Sequence, residues 1–166
     1  TFTVTVKDQK STGMSGQVVS LATTFGSLST TSVTTGSNGT ATFTISSANA
    51  GTATITATLG TLSDTAAKEW YTPVATTLTL SPKSAVNQLP GDTTETFTVT
   101  VKDQKSTGMS GQVVSLATTF GSLSTTSVTT GSNGTATFTI SSANAGTATI
   151  TATLGTLSDT AAKEWY

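Results

Sequence analysis

Cysteine and histidine are both missing from these 166 residues. Without cysteine there is no disulfide framework, no thiolate nucleophile and no Cys-based zinc site. Without histidine the commonest general base and the commonest metal ligand are gone, and a Ser-His-Asp set is impossible. Arginine is absent too. The 7 basic residues, all lysine, face 8 acidic ones, for a net charge of −1. That balance supplies no basic stripe for nucleic acid and no polybasic segment for an anionic membrane. Apolar runs are only a few residues long, so no segment is long enough to span a bilayer, and no signal peptide is visible. Aromatic residues are 6% of the chain and charged residues 9%. Paired carboxylates of the glycosidase kind need a cleft, which small β-domains rarely offer. The chain reads as a non-enzyme.

Threonine, serine, glycine and alanine fill the space left by these absences, and the text they form is written twice. Thr1–Tyr71 and Thr96–Tyr166 are the same 71 residues at an offset of 95, and Thr72–Glu95 (TPVATTLTLSPKSAVNQLPGDTTE) occurs once. A period of 95 residues is too long for a solenoid unit and about right for an independent all-β domain. Two domains follow: residues 1–71, a repeat lacking its first-strand region, and residues 72–166, a complete repeat. Identical copies argue against a division of labour and suit a task that scales with number, such as length, stiffness or avidity.

Low charge with much Ser and Thr is also a signature of disorder, but here Thr alternates with apolar residues. TFTVTVKD (Thr96–Asp103) sets Phe97, Val99 and Val101 on one face and Thr on the other, the period of a half-buried strand. ATTLTLSP, SAVNQL, QVVSLATTF, TATFTISS, TATITATL and TLSDTAAKEWY read likewise, separated by turn signals such as Pro90-Gly91-Asp92 and Ser132-Asn133-Gly134. Asn-Gly suggests a type I′ hairpin. Seven or more antiparallel strands per unit, each with one apolar face, imply an all-β fold: tandem immunoglobulin-like antiparallel β-sandwich domains joined by short linkers. The expected core is Leu78, Leu80, Val86, Phe97, Val99, Val101, Val114, Leu116, Leu123, Val128, Phe138, Ile140 and Ile150.

VTVKDQ (Val99–Gln104), SGQVVS (Ser110–Ser115), GSLS (Gly121–Ser124), GSNGTAT (Gly131–Thr137) and SANAGTATITAT (Ser142–Thr153) resemble the bacterial immunoglobulin-like repeats of group 1, the stalk repeats of intimin- and invasin-type adhesins. The leading VATTLTLSP (Val74–Pro82) looks like that family's first strand. The resemblance covers the whole unit, twice, and rests on turn and core residues. It implies a tandem, surface-anchored, extracellular array that acts as a spacer or scaffold. The cysteine-bearing terminal lectin-like domain of those adhesins has no counterpart here, so a receptor-binding role does not carry over.

Few residues stand out as sites. Trp70, Tyr71 and Pro73, with Trp165 and Tyr166 in the second copy, are candidates for contacts at the junction between units; the plainer alternative is that each Trp caps its own core. Asn38 and Asn133 begin N-glycosylation sequons that also read as turns. Asp92, Glu95, Asp103 and Asp159 are candidates for calcium at a domain junction, against a reading as solvated loop acids. Lys102 or Lys163 with Asn144 or Asp103 raises an intramolecular isopeptide bond, which would require all partners in the core.

The expected partners are neighbouring repeats of the same chain and, in a filament, copies of itself. The missing first strand of residues 1–71 leaves an unpaired edge and a slot in the core. Upstream residues or a strand donated by another chain would fill it. A carbohydrate- or host-receptor-binding module acting through avidity is the alternative function, and an accessory domain of a secreted enzyme a third.

Overall fold

A computed structural model describes residues 1–166. Every regular element is a strand. The chain divides into two compact units, Thr1–Thr72 and Pro73–Tyr166. The first contains β1 (Phe2–Thr5), β2 (Val18–Thr23), β3 (Ser27–Leu28), β4 (Ser32–Thr34), β5 (Thr40–Phe43), β6 (Ile45–Ser46), β7 (Gly51–Leu59) and β8 (Leu62–Trp70). The second contains β9 (Ala75–Ser81), β10 (Ser84–Asn87), β11 (Thr94–Asp103), β12 (Val113–Thr118), β13 (Ser122–Leu123), β14 (Ser127–Thr129), β15 (Thr135–Ser141), β16 (Gly146–Leu154) and β17 (Leu157–Trp165).

The second unit is a two-sheet sandwich. One sheet runs β10-β17-β16-β12-β14, the other β13-β15-β11-β9. Alternation along β11 sends Phe97, Val99 and Val101 inward, where they are fully buried. They meet Leu78 and Leu80 from β9, Val114 and Leu116 from β12, Phe138 and Ile140 from β15, and Ala148, Ile150 and Ala152 from β16. Small alanines on β16 admit the larger residues of the facing sheet, as close packing requires. Leu123 and Val128 are half-buried at the margin of this core.

The leading segment of this unit serves both sheets. β9 pairs antiparallel with β11, with Leu80 opposite Val99 and Leu78 opposite Val101. After Ser81–Lys83 the chain crosses over, and β10 pairs with β17 in parallel, with Ala85 opposite Lys163 and Asn87 opposite Trp165. This parallel pair departs from the all-antiparallel expectation. Its register places Ala85 and Asn87 opposite the inward-facing Lys163 and Trp165, so Val86, expected in the core, is 58% exposed, while Asn87 is buried. The Asn87 amide is satisfied by donating to the Thr94 carbonyl at 3.2 Å, as a buried polar group must be.

The Asn-Gly turn also differs from expectation. A type I′ turn needs positive φ at both central residues, yet only Gly134 has it (78°). Gly134 N–H donates to the Gly131 carbonyl at 2.9 Å, which makes Ser132 and Asn133 the turn centre and Gly134 the residue after it. The turn lies beneath the loop at Gly108–Met109, and a Cβ on Gly134 would fall 2.6 Å from Val101 O and Met109 N. Gly39 repeats this arrangement in the first unit.

The first unit has one sheet of the same kind, β4-β2-β7-β8, and two short pairs, β1-β5 and β3-β6. Its buried core cluster is Val19, Leu21, Phe43 and Ile55. No strand in residues 1–72 corresponds to β9 or β10.

Candidate functional site: the open edge of the first unit

Because the two bodies are identical in sequence, each difference between them isolates the effect of the leading segment. β11 (Thr94–Asp103) has neighbours on both sides; β1 (Phe2–Thr5), whose sequence recurs within β11 at Phe97–Thr100, pairs only with β5. Val99 and Val101 are 0% exposed, whereas Val4 and Val6 are half-buried. Leu157 is half-buried, but Leu62 is 68% exposed. Ala161 and Lys163 are buried under the leading segment; Ala66 and Lys68 are exposed.

What remains in the first unit is a groove of about 250 Å³ lined by Val4, Val6, Val19, Leu59 and Leu62, with Lys7 and Asp64 at its rim. A second hollow of about 130 Å³ continues it along Phe2, Val4, Ile55 and Ala66. In the second unit the counterpart of this space holds β9. There Leu80 and Leu78 pack on Val99 and Val101, and Asp159, the counterpart of Asp64, accepts the Leu80 N–H at 2.7 Å. Asp159 also forms an ion pair and hydrogen bond with Lys83. Burial raises the Asp159 pKa, but the bonds from Lys83, Leu80 and Thr160 outweigh it and hold the carboxyl below its ordinary value. The carboxylate thus caps an N–H on the outer edge of β9, the kind of group that otherwise recruits another strand.

At the other end of the slot, β17 carries a charged residue into the interior. The Lys163 amine is enclosed, donates to the Glu164 carbonyl at 2.9 Å and lies 4.8 Å from the Trp165 ring centroid. Burial pushes its pKa down, with Glu95, Asp92 and Glu164 opposing. The Trp165 indole N–H donates to the Thr93 carbonyl at 3.1 Å.

The sites expected from sequence fall as follows. Trp165 is 1% exposed and packs on Phe120 with ring centroids 6.0 Å apart, so it belongs to the core of its own unit. Trp70 is half-buried and packs tilted against Phe25 in the same way. Each indole therefore has an aromatic neighbour within its own unit. Pro73 is exposed, Tyr71 is half-buried, and Tyr166 exposes its ring while its backbone pairs with Asn87 and Leu89.

Asn133 Oδ1 accepts from the Thr135 N–H and hydroxyl at 3.1 and 2.8 Å, and Asn38 does the same with Thr40 at 3.0 and 2.7 Å. Both asparagines organise their turns.

Two of the acids expected to be solvated are not. Asp103 is buried and accepts the N–H groups of Lys105 and Thr107 at 2.9 and 2.8 Å, closing its loop. Asp159 is bound as described above. Asp92 is exposed and Glu95 half-buried, and no three acids gather into a group able to hold a metal. Lys102 points outward and Asn144 sits exposed in a turn, while the Lys163 amine bonds a backbone carbonyl and no Asn or Asp side chain. The buried Lys163 went unread in the sequence. Its signal was its place in the alternation Ala161, Lys163, Trp165, all of which face inward.

No curated protein matches the chain. Among solved structures, domains 4–9 of the surface layer protein SbsC align over 97% of this chain and 24% of that one, at 20% identity and a TM-score of 0.58. The D0-D1 domain of intimin aligns over 99% and 88%, at 27% identity and TM-score 0.44. Invasin, a bacterial integrin-binding protein, aligns over 96% and 34%, at 23% identity and TM-score 0.45. The SbsC likeness supports the sandwich fold. The sequence model of the bacterial Ig-like domain (group 1) matches residues 1–69 and again 75–164, covering both bodies and the segment that completes the second. On that match, the chain belongs to the group 1 bacterial Ig-like domain family.

Proposed function

We propose that this chain is a structural repeat of a bacterial extracellular surface protein, in which Ig-like units act as spacers or scaffold and catalyse nothing. The observation that carries this reading is the identity of Thr1–Tyr71 with Thr96–Tyr166 within a family of Ig-like domains. Two identical modules add length and number, not a second chemistry. The acids and the buried lysine support the same reading, because most are engaged in holding strands and loops together.

The mechanism is geometric. Strands of nine or ten residues, at ~3.4 Å per residue with a short connection, give each unit a length of about 35–40 Å. The test is a series of chains with two, four and eight repeats, measured by small-angle scattering and electron microscopy. The maximum dimension rises linearly by that increment per repeat. A dimension that grows only as a compact globule does would refute the spacer role.

The rival reading, a carbohydrate- or receptor-binding module, calls for an exposed aromatic patch or a concave polar patch present in both copies. Tyr166 is the sole aromatic among the exposed large apolar side chains, so no observation favours it.

A further inference from the structure

Sequence alone paired Lys163 with Asn144 or Asp103, but Asn144 is exposed in a turn and Asp103 closes its own loop. The structure sets a different carboxamide, Asn87, beside the buried amine. We propose that the second unit closes itself with an amide bond between the Lys163 amine and the Asn87 side chain, formed with Glu95 as proton relay and with release of ammonia.

The parallel pairing of β10 with β17 brings the two groups together. Val86 lies opposite Glu164 and Asn87 opposite Trp165. In a parallel ladder, alternate residues of one strand bond to the residues before and after their opposite number. Ala162 N–H donates to the Lys83 carbonyl, and Tyr166 donates to Asn87 and accepts from Leu89. Between these two, the ladder turns the Glu164 carbonyl to the Asn87 N–H. The Lys163 amine donates to that same carbonyl at 2.9 Å, so one acceptor gathers the amine and Asn87. Both side chains face inward, Lys163 at 0% exposure and Asn87 at 4%. The amine lies 4.8 Å from the Trp165 ring centroid, which shows it reaching along β17 to the end where Asn87 stands. The acid comes from the facing sheet. Glu95 shares the parity of Phe97 and Val99 on β11 and is half-buried. The Asn87 amide donates to the carbonyl of Thr94, the residue just before it, at 3.2 Å. Glu95 is also the largest of the three acidic charges acting on the Lys163 amine.

The chemistry needs nothing from outside the unit. The neutral amine attacks Asn87 Cγ and forms the new C–N bond. Glu95 takes the proton that the attacking nitrogen sheds and passes it to the Asn87 amide nitrogen, which leaves as ammonia. The carboxamide becomes a secondary amide, Glu95 ends as it began, and no electrons are exchanged. Burial pushes the Lys163 pKa down, which favours the neutral nucleophile. Fixed neighbours replace a bimolecular encounter, and enclosure keeps out water that would compete for Cγ. A permanent ammonium is poorly served here, with three donors and the Glu164 carbonyl as its acceptor, whereas the amide product has one N–H for that one acceptor. The reaction turns over once, within the chain, so the unit acts on no substrate.

The bond joins the leading segment to the last strand. A pull on the two ends of the unit then passes from Asn87 to Lys163 and leaves residues 88–162 unloaded. The bond stands on its own geometry; its use, holding a spacer at fixed length under load, rests on the spacer reading. Until the bond forms the amine is free, so freshly refolded protein is the form in which Lys163 titrates.

The experiment refolds the intact 166-residue chain, holds it at neutral pH and follows its mass. The mass falls by about 17 Da, the ammonia expelled by the attacking amine. Trypsin does not cut after an acylated lysine, so the digest contains a branched peptide joining Ser84–Lys102 to Ser106–Tyr166. Lys163→Met abolishes the loss. In Asn87→Asp the loss becomes about 18 Da, because water leaves in place of ammonia. Glu95→Gln slows the reaction about 100-fold, the scale of a lost acid–base group, with the melting temperature of the freshly refolded chain unchanged. Glu95→Asp restores part of the rate, a pattern that a merely structural glutamate does not give.

A folded chain whose mass never changes, and whose Lys163 is cut normally by trypsin after denaturation, overturns the proposal. A branched peptide joined at any other residue overturns it too. Bond formation together with a failed linear growth of repeat arrays would sink the spacer reading and leave the bond standing. The reverse pair of results would do the opposite.

Discussion

Asp159 accepts the backbone N–H of Leu80 at 2.7 Å, tying the last strand of the second unit to its first across 79 residues of chain. The same aspartate in the first unit, Asp64, is exposed and accepts only from its neighbour Thr65, at 2.8 Å. One residue type in one sequence context thus has two energetic roles, decided by whether a strand lies beside it.

The first prediction follows directly. Asp159→Ala leaves the Leu80 N–H uncapped and Lys83 unpaired, and destabilises the second unit by about 1–3 kcal/mol. Asp64→Ala changes the first unit by less than about 0.5 kcal/mol, as surface substitutions do. Differential scanning calorimetry of the two variants separates these outcomes, and equal shifts would contradict the asymmetry.

The acid limb of stability belongs to the same residue. The folded pKa of Asp159 lies below its ordinary value of 3.8, so its stabilising contribution is fully present above that value. It is lost as pH falls through the lower folded value, where the native carboxylate takes up a proton. The second unit therefore loses stability on acidification below about pH 4, and Asp159→Asn flattens that part of the curve. The readout is the midpoint of urea unfolding measured from pH 2 to 6.

Lys163 gives the opposite limb. Burial lowers its pKa from 10.5, so the folded state gives up this proton before the unfolded state does. In that interval the unfolded chain binds more protons, and the contribution of this group makes stability rise with pH towards 10.5. Lys163→Met removes the rise. Chemical denaturation of the unsubstituted chain and the variant between pH 8 and 11 checks this.

Two units with the same body sequence unfold at different temperatures. Without a neighbour on its outer side, β1 leaves Val4 and Val6 partly solvated, and the first unit melts first. Hydrogen exchange shows the same inequality residue by residue: amides of Thr3–Thr5 exchange faster than those of Thr98–Thr100. A single cooperative transition with equal protection in the two strands would contradict the structure.

Gly134→Ala tests the loop anchor. The substitution places a Cβ 2.6 Å from Val101 O, a backbone atom that cannot turn aside, at a φ of 78°. A loss of about 1–3 kcal/mol is expected from the backbone conformation alone, and more from the clash. Gly155→Ala, also at positive φ (58°) but with nothing within 4 Å, costs less. Comparison of the two melting temperatures isolates the close approach from the conformational term.

Much of this was legible in the residues. Period-2 alternation marked Phe97, Val99 and Val101 as one face, and the doubled text marked the repeat. Together with the turn residues they identified an Ig-like sandwich of a known family. Alternation fails at SAVN because it states which residues share a face and not which face is covered. Asn87 faces inward and Val86 outward because the register on β17 sets Asn87 opposite the buried Trp165, a pairing no local pattern encodes.

The sequence by itself determined the strands, their faces and the identity of the two bodies. Only the tertiary structure decided that Lys163 is enclosed while Lys68 is exposed, that Asp159 caps a strand while Asp64 does not, and that Leu62 remains in solvent. Burial belongs to a pair of surfaces, so a residue's environment is set by the strand that covers it.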